Sequence, residues 1–205
     1  MKILNVEQNS DAWFDARRGK ISGTILGDVY SKRGGRKIGF YQVIAERLGL
    51  DPDDENRMDR GLRLEDEAAE LFAAKTGKEP IKAGICVSWF SDDVINSPDR
   101  LIKNGKSKKY TEALEIKCLS PARHLQAVIE NKVPSEFESQ MVQYFVVNEH
   151  LETLYFLFYD PRVPSVPYHV IEVNYEDVAG KVEFFKTWQL DTLKEIETII
   201  EELTF

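Results

Sequence analysis

Apolar positions along the chain recur in two different rhythms. Residues 38 to 48 (IGFYQVIAERL) carry them at helical spacing up to Gly49. The acidic DPDDEN turn follows, and then a longer helix is predicted from Arg57 to about Thr76, with Asn56 as its cap and Gly77 past its end. Between 79 and 118 the rhythm changes to that of strands: EPIKA, ICVSWF with Ile85, Val87 and Trp89 alternating, VINSPDRLI and TEALEIKCL, with turns at SDD and NGK. Helices are predicted at 121 to 130, begun by Pro121, and at 135 to 148, begun by Pro134-Ser135. Two strands at 153 to 159 and 168 to 173 flank the proline-rich DPRVPSVP, and a long amphipathic helix runs from about Tyr175 to the end. At the other end, Ser10 caps a short helix bearing Trp13 and Phe14 that Gly19 terminates, and SKRGGRK reads as a basic loop. Strands grouped in the middle with helices on both sides predict a mixed α/β or α+β fold. Its length, 205 residues, suits one domain over 1–205.

Composition narrows the function classes. At 42% hydrophobic and 30% charged residues, the chain has the balance of a folded globular protein. Its densest apolar run, LYFLFY at 154 to 159, is far short of the roughly 20 residues that span a bilayer, so no membrane partner is expected. Asn5, Glu7 and Gln8 interrupt the start before a signal-peptide core forms, which points to a cytoplasmic location. Cys86 and Cys118 stand in no metal-binding or disulfide pattern and read as small buried hydrophobes. A net charge of −8 argues against coating nucleic acid by charge alone, yet it allows a nucleic-acid enzyme whose acidic residues bind metal. Basic residues do cluster locally, at Arg17, Arg18 and Lys20 and again at Lys32, Arg33, Arg36 and Lys37.

Candidate chemistry concentrates in NSPDRLIKNGKSKKYTEALEIKC, residues 96 to 118. The two-residue period of its last strand sends Leu114, Ile116 and Cys118 one way and Glu115 and Lys117 the other. Asp99 lies sixteen residues before Glu115, a separation suited to two adjacent strands whose carboxylates meet. Carboxylates that converge repel one another and persist only if protons or cations neutralise them. Oxygen ligands without thiolate or imidazole favour Mg²⁺ or Mn²⁺. A lysine beside them orients a nucleophilic water or stabilises a scissile phosphate, which together suits phosphodiester hydrolysis. Upstream, Gly61, Glu65, Ala68 and Phe72 fall on one helical stripe, so Glu65 either joins this cluster from an apolar face or reaches solvent at its edge.

A Glu-x-Lys triplet alone arises by chance about once in a chain of this size. Pro98-Asp99, the alternating strand and Glu65 together form the pattern called PD-(D/E)XK, whose core is a central mixed sheet flanked by helices, the restriction-endonuclease-like fold. DAWFDARRGKISGT, RGLRLEDEA, SPDRL, LEIKC, SQMVQY and YDP, in that order, resemble the lambda exonuclease or YqaJ-type family of phage alkaline exonucleases. The resemblance implies hydrolysis of one strand of linear double-stranded DNA from its 5′ end, to mononucleotides and a 3′ overhang, in phage or prophage recombination. It makes Asp99, Glu115 and the Ile116 carbonyl metal ligands, places Glu65 near a second Mg²⁺ (or Mn²⁺), and makes Lys117 the catalytic lysine. Gln140 corresponds to the glutamine that positions the nucleophile or phosphate, with Gln143 one turn away as an alternative. Arg17 and Thr24 correspond to the 5′-phosphate site, although Arg17 pairing with an acidic neighbour is a structural alternative. Met58 falls at a strand-separating wedge or in the core, and Arg33, Arg36 and Lys37 are candidate DNA contacts. A homotrimeric ring and a single-strand annealing protein are the implied partners. Two departures are visible: Arg100 stands where Pro-Asp-Gly is expected, and the proline that follows Lys-Cys is displaced to Pro121. Rival readings are an endonuclease of restriction or repair type and a catalytically silent DNA-binding ring subunit.

Overall fold

In the computed structural model, residues 11–12, 36–50, 57–105, 107 and 109–203 are described, without the side chains of 47, 57–62, 195–197 and 199–203. Arg17, Thr24, Arg33 and the cap at Asn56 lie outside the described residues, as does the side chain of Met58. The elements in order are α1 (Ile38–Arg47), α2 (Arg57–Thr76), β1 (Glu79–Ile81), β2 (Cys86–Val87), β3 (Ile95–Asn96), β4 (Arg100–Lys103) and β5 (Glu112–Lys117). After them come α3 (Pro121–Glu130), a 3₁₀ turn (Ser135–Phe137), α4 (Glu138–Val147), β6 (Thr153–Tyr159), β7 (Tyr168–Asn174) and α5 (Tyr175–Leu203). Gly49 and Gly77, at φ +70 and +71, take the left-handed conformation just past α1 and α2, which a side chain would disfavour.

Backbone contacts divide the chain into two compact units, each built from three stretches: 1–64, 118–132 and 158–169, and then 65–117, 133–157 and 170–205. In the first unit α1 packs on α3, and Tyr41, Ala45, Ala122, Leu125 and Val163 form a buried cluster. Tyr41 donates from its hydroxyl to Glu130 Oε1 at 2.5 Å, tying the two helices by a polar contact at the rim of that cluster.

The larger sheet has the order β1-β4-β5-β6-β7, with β1 and β4 antiparallel (Glu79 opposite Lys103) and β4 and β5 antiparallel (Arg100 opposite Leu114). Glu152 and Thr153 both donate their N–H to Thr111 O, which sets the starts of β5 and β6 side by side and makes the sheet mixed. The crossover between them carries α3 and α4, as a parallel pair requires. In the second unit α4 packs on α5, and Ala68, Phe72, Leu114, Phe156 and Val142 are among its fully buried apolar side chains. Among the described residues no helix is long and apolar enough to cross a membrane.

Two sequence expectations change. ICVSWF forms a strand only at Cys86–Val87, which pairs with Ile95–Asn96 in a separate two-stranded ribbon. Its alternating Ile85, Val87 and Trp89 are exposed rather than packed, at 66%, 51% and 61%. VINSPDRLI, read as one strand, is two, broken at Ser97 to Asp99. That break frees Asp99 from a ladder and lets its side chain bond to backbone instead.

Candidate active site

Because β4 and β5 pair Arg100 with Leu114, one further step in the same register sets Asp99 opposite Glu115. Opposed residues of antiparallel strands project to the same face, so the two carboxyls are neighbours. Asp99 Oδ2 accepts the N–H of Ile116 at 2.7 Å. Its own N–H donates to the Tyr144 hydroxyl oxygen at 3.2 Å.

Glu115 is 1% exposed. A carboxylate so far from water is tolerated only when paired and hydrogen-bonded. Lys117 Nζ donates to its Oε1 at 2.5 Å, Gln140 Nε2 donates to the same oxygen at 2.6 Å, and the Tyr144 hydroxyl donates to Oε2. Gln140 and Tyr144 lie one turn apart on α4 and therefore share a face. Lys117 also sits 5.0 Å over the Phe137 ring, which packs against Phe156 and limits where the ammonium can go. Burial first, and then the charge of Glu115, push the Tyr144 phenol far up, so it serves as a donor and not as a base.

Asp99 has no such set of donors. Burial, followed by repulsion from Glu115, raises its carboxyl from 3.8 to about 7, against the opposing pull of the Ile116 N–H, with Glu65 adding and Lys117 subtracting smaller amounts. Asp99 thus feels both of the other carboxyls, Glu115 more than Glu65.

Glu65, on α2, is bonded to a guanidinium. Its Oε1 accepts Arg100 Nη1 at 2.5 Å, while Arg100 Nη2 donates to Asp66 Oδ1 at 2.6 Å and Nη1 also reaches the Asp99 carbonyl at 2.5 Å. The Arg100 side chain is 5% exposed. Asp66 takes a second cation, Lys82, at 2.8 Å, and Lys82 foremost, with Arg100, holds its carboxyl below the usual range.

The donor chemistry fits one hard divalent ion: the carboxylate of Asp99, one step before β4, faces that of Glu115 on β5, with the backbone of Ile116 bonded to Asp99 and no thiolate or imidazole bonded to either carboxylate among the described residues. Among the described residues no three His, Cys, Asp or Glu side chains are grouped so as to hold a metal ion, and Glu65 is bonded to Arg100.

A family model described as the YqaJ-like viral recombinase domain matches residues 12–150, more than half of the chain. The chain belongs to the YqaJ-like viral recombinase family. No curated protein matches it. Among solved structures it is similar to the alkaline exonuclease LHK-Exo from Laribacter hongkongensis, at 23% identity and a TM-score of 0.61, covering 95% of this chain and 98% of that one. LHK-Exo in complex with dAMP matches at 22% identity, the same TM-score of 0.61 and the same coverage of 95% and 98%. The fold of this YqaJ-like chain is accordingly the restriction-endonuclease-like fold of alkaline exonucleases.

Several expected positions of the YqaJ-like chain come together in the second unit: Asp99, Glu115, Ile116, Lys117 and Gln140. Of the two glutamines, Gln140 turns to Glu115, whereas Gln143 bonds to Ile95 O and to Gln189, each at 3.0 Å. Arg36 and Lys37 belong to the first unit, where Arg36 stacks 4.8 Å over the Phe40 ring and Lys37 precedes α1. Tyr144, Asp66 and the role of Arg100 escape the sequence reading. Tyr144 does stand in SQMVQY, four residues after Gln140, which is the helical spacing that could have drawn attention to it.

Proposed function

We propose that this protein is a Mg²⁺-dependent 5′→3′ exonuclease, Mn²⁺ being able to substitute. It would degrade one strand of linear double-stranded DNA to 5′-mononucleotides and leave 3′ overhangs for annealing-type recombination. The single observation that carries this reading is the apposition of Asp99 and Glu115 across β4 and β5, with Lys117 bonded to Glu115. Membership of the YqaJ-like viral recombinase family and the alkaline-exonuclease fold support it.

Asp99, Glu115 and the Ile116 carbonyl would hold the ion, which when bound supplies a nucleophile at neutral pH and polarises the phosphoryl oxygens. Lys117, pinned between Glu115 and Phe137, presents an ammonium to the phosphate and orients the attacking water. Gln140 shares the Glu115 oxygen with Lys117 and aims both donors at the same side of that carboxylate. Tyr144 fixes the Asp99 backbone and the Glu115 carboxylate together, so that the two ligands hold their spacing.

In this reading Arg17 and Thr24 hold the terminal 5′-phosphate, a guanidinium and a hydroxyl being suited to that anion. Met58 parts the strands, and Arg33, Arg36 and Lys37 follow the backbone. The protein acts in the cytoplasm as a homotrimer beside a single-strand annealing protein. Residues 1–205 act as one nuclease domain, because the two units alternate along the chain and neither is a continuous segment.

The test compares linear with covalently closed duplex DNA, each with Mg²⁺ and with chelator. Mononucleotides released from linear DNA alone, and only with metal, are the expected result. Cutting of the closed circle would make the protein an endonuclease, and no release from either would leave a silent binding subunit.

A further inference from the structure

Around Asp99 and Arg100, among the described residues, stand the carboxylates Glu65, Asp66, Asp99 and Glu115 and the cations Lys82, Arg100 and Lys117, and the pairing among them is uneven. Lys117 compensates Glu115, and Lys82 with Arg100 compensates Asp66. Among the described residues Arg100 compensates Glu65, at 2.5 Å. Asp99 is left with a backbone N–H and no cation in contact among the described residues.

We propose that Arg100 supplies the positive charge a second metal ion would bring, so that Glu65 is bound to a guanidinium and each chain holds one divalent ion, at Asp99 and Glu115. This rests on the metal-dependent nuclease reading and departs from the two-ion arrangement that the sequence resemblance implies. The geometry favours it in three ways. Arg100 is locked by three acceptors, Glu65, Asp66 and the Asp99 carbonyl, all within 2.6 Å. Its guanidinium cannot lose its proton to make room for another cation. An ion entering at Glu65 would strip a partner from a buried guanidinium that is 5% exposed, and breaking a buried pair is strongly unfavourable. The residue that stands in place of the expected glycine therefore touches both Glu65 and the backbone carbonyl of Asp99.

Counting bound Mn²⁺ on the purified protein by electron paramagnetic resonance, without DNA, tests this independently of activity. The wild type should bind one ion per chain, Glu65→Gln should also bind one, and Asp99→Asn should bind none. Arg100→Gly should gain a second ion that the double variant Arg100→Gly/Glu65→Gln lacks. Two ions on the wild type, falling to one in Glu65→Gln, would overturn the inference while leaving the nuclease reading intact. A single ion on folded Arg100→Gly would overturn it as well. If Arg100→Gly does not fold, the wild-type and Glu65→Gln counts decide. No Mn²⁺ on the wild type, or a count that Asp99→Asn does not change, would remove the metal site and the nuclease reading with it.

Discussion

Asp99 Oδ2 accepts the backbone N–H of Ile116 at 2.7 Å, so the loop before β4 is fastened near the end of β5 by the carboxylate that the proposed chemistry needs. Asp99→Asn keeps the size of the side chain and an acceptor for that N–H while removing the charge. Nucleotide release should fall below detection, with thermal unfolding close to that of the wild type. Lys117→Ala, which removes the ammonium and leaves Glu115 bonded to Gln140 and Tyr144, should lower the rate by about 10²–10³-fold. A variant that digests linear duplex at the wild-type rate would exclude these residues from the site.

Acidity at Asp99 gives a pH dependence whose sign is fixed. Its folded-state carboxyl is raised from 3.8 to about 7, so in the metal-free protein this group's stabilising contribution is complete below the unfolded value. That contribution declines as pH rises toward about 7 and is gone above it. A divalent ion needs the ionised form, so its affinity should climb by at most about tenfold per pH unit below neutrality and level off above. Calorimetric titration with Mn²⁺ in buffers of different ionisation enthalpy should detect a proton released at about pH 6 and almost none at about pH 8. An affinity that is flat across that interval would contradict the raised carboxyl.

Gln140 and Gln143 are one helical turn apart and should behave differently. Gln140→Ala removes a donor to Glu115 and should cost about 10- to 100-fold in activity or metal affinity. Gln143→Ala loses its bonds to Ile95 O and Gln189, so about 1 kcal/mol of stability should go with little change in rate. Rates and melting temperatures measured on both variants separate the two effects, and an equal loss of activity in both would refute the distinction.

Hydrophobic spacing by itself determined the helices at 38 to 47, 57 to 76 and 121 to 130 and most strands of the central sheet, because these faces must be buried whichever neighbours bury them. The sixteen-residue separation of Asp99 and Glu115 suited a hairpin-like connection, and in the structure Asp99 stands in the loop one step before β4, in register with Glu115 on β5. The exposed Ile85, Val87 and Trp89 misled the strand prediction, because alternation records which residues share a side and not whether anything covers that side. Only the tertiary structure decided that Gln140 and not Gln143 meets Glu115, that Tyr144 joins Asp99 to Glu115, and that Arg100 claims Glu65. Each of these depends on the rotation of a helix against the sheet. A contact between residues 25 to 45 positions apart is set by how their elements dock, and no local spacing encodes it.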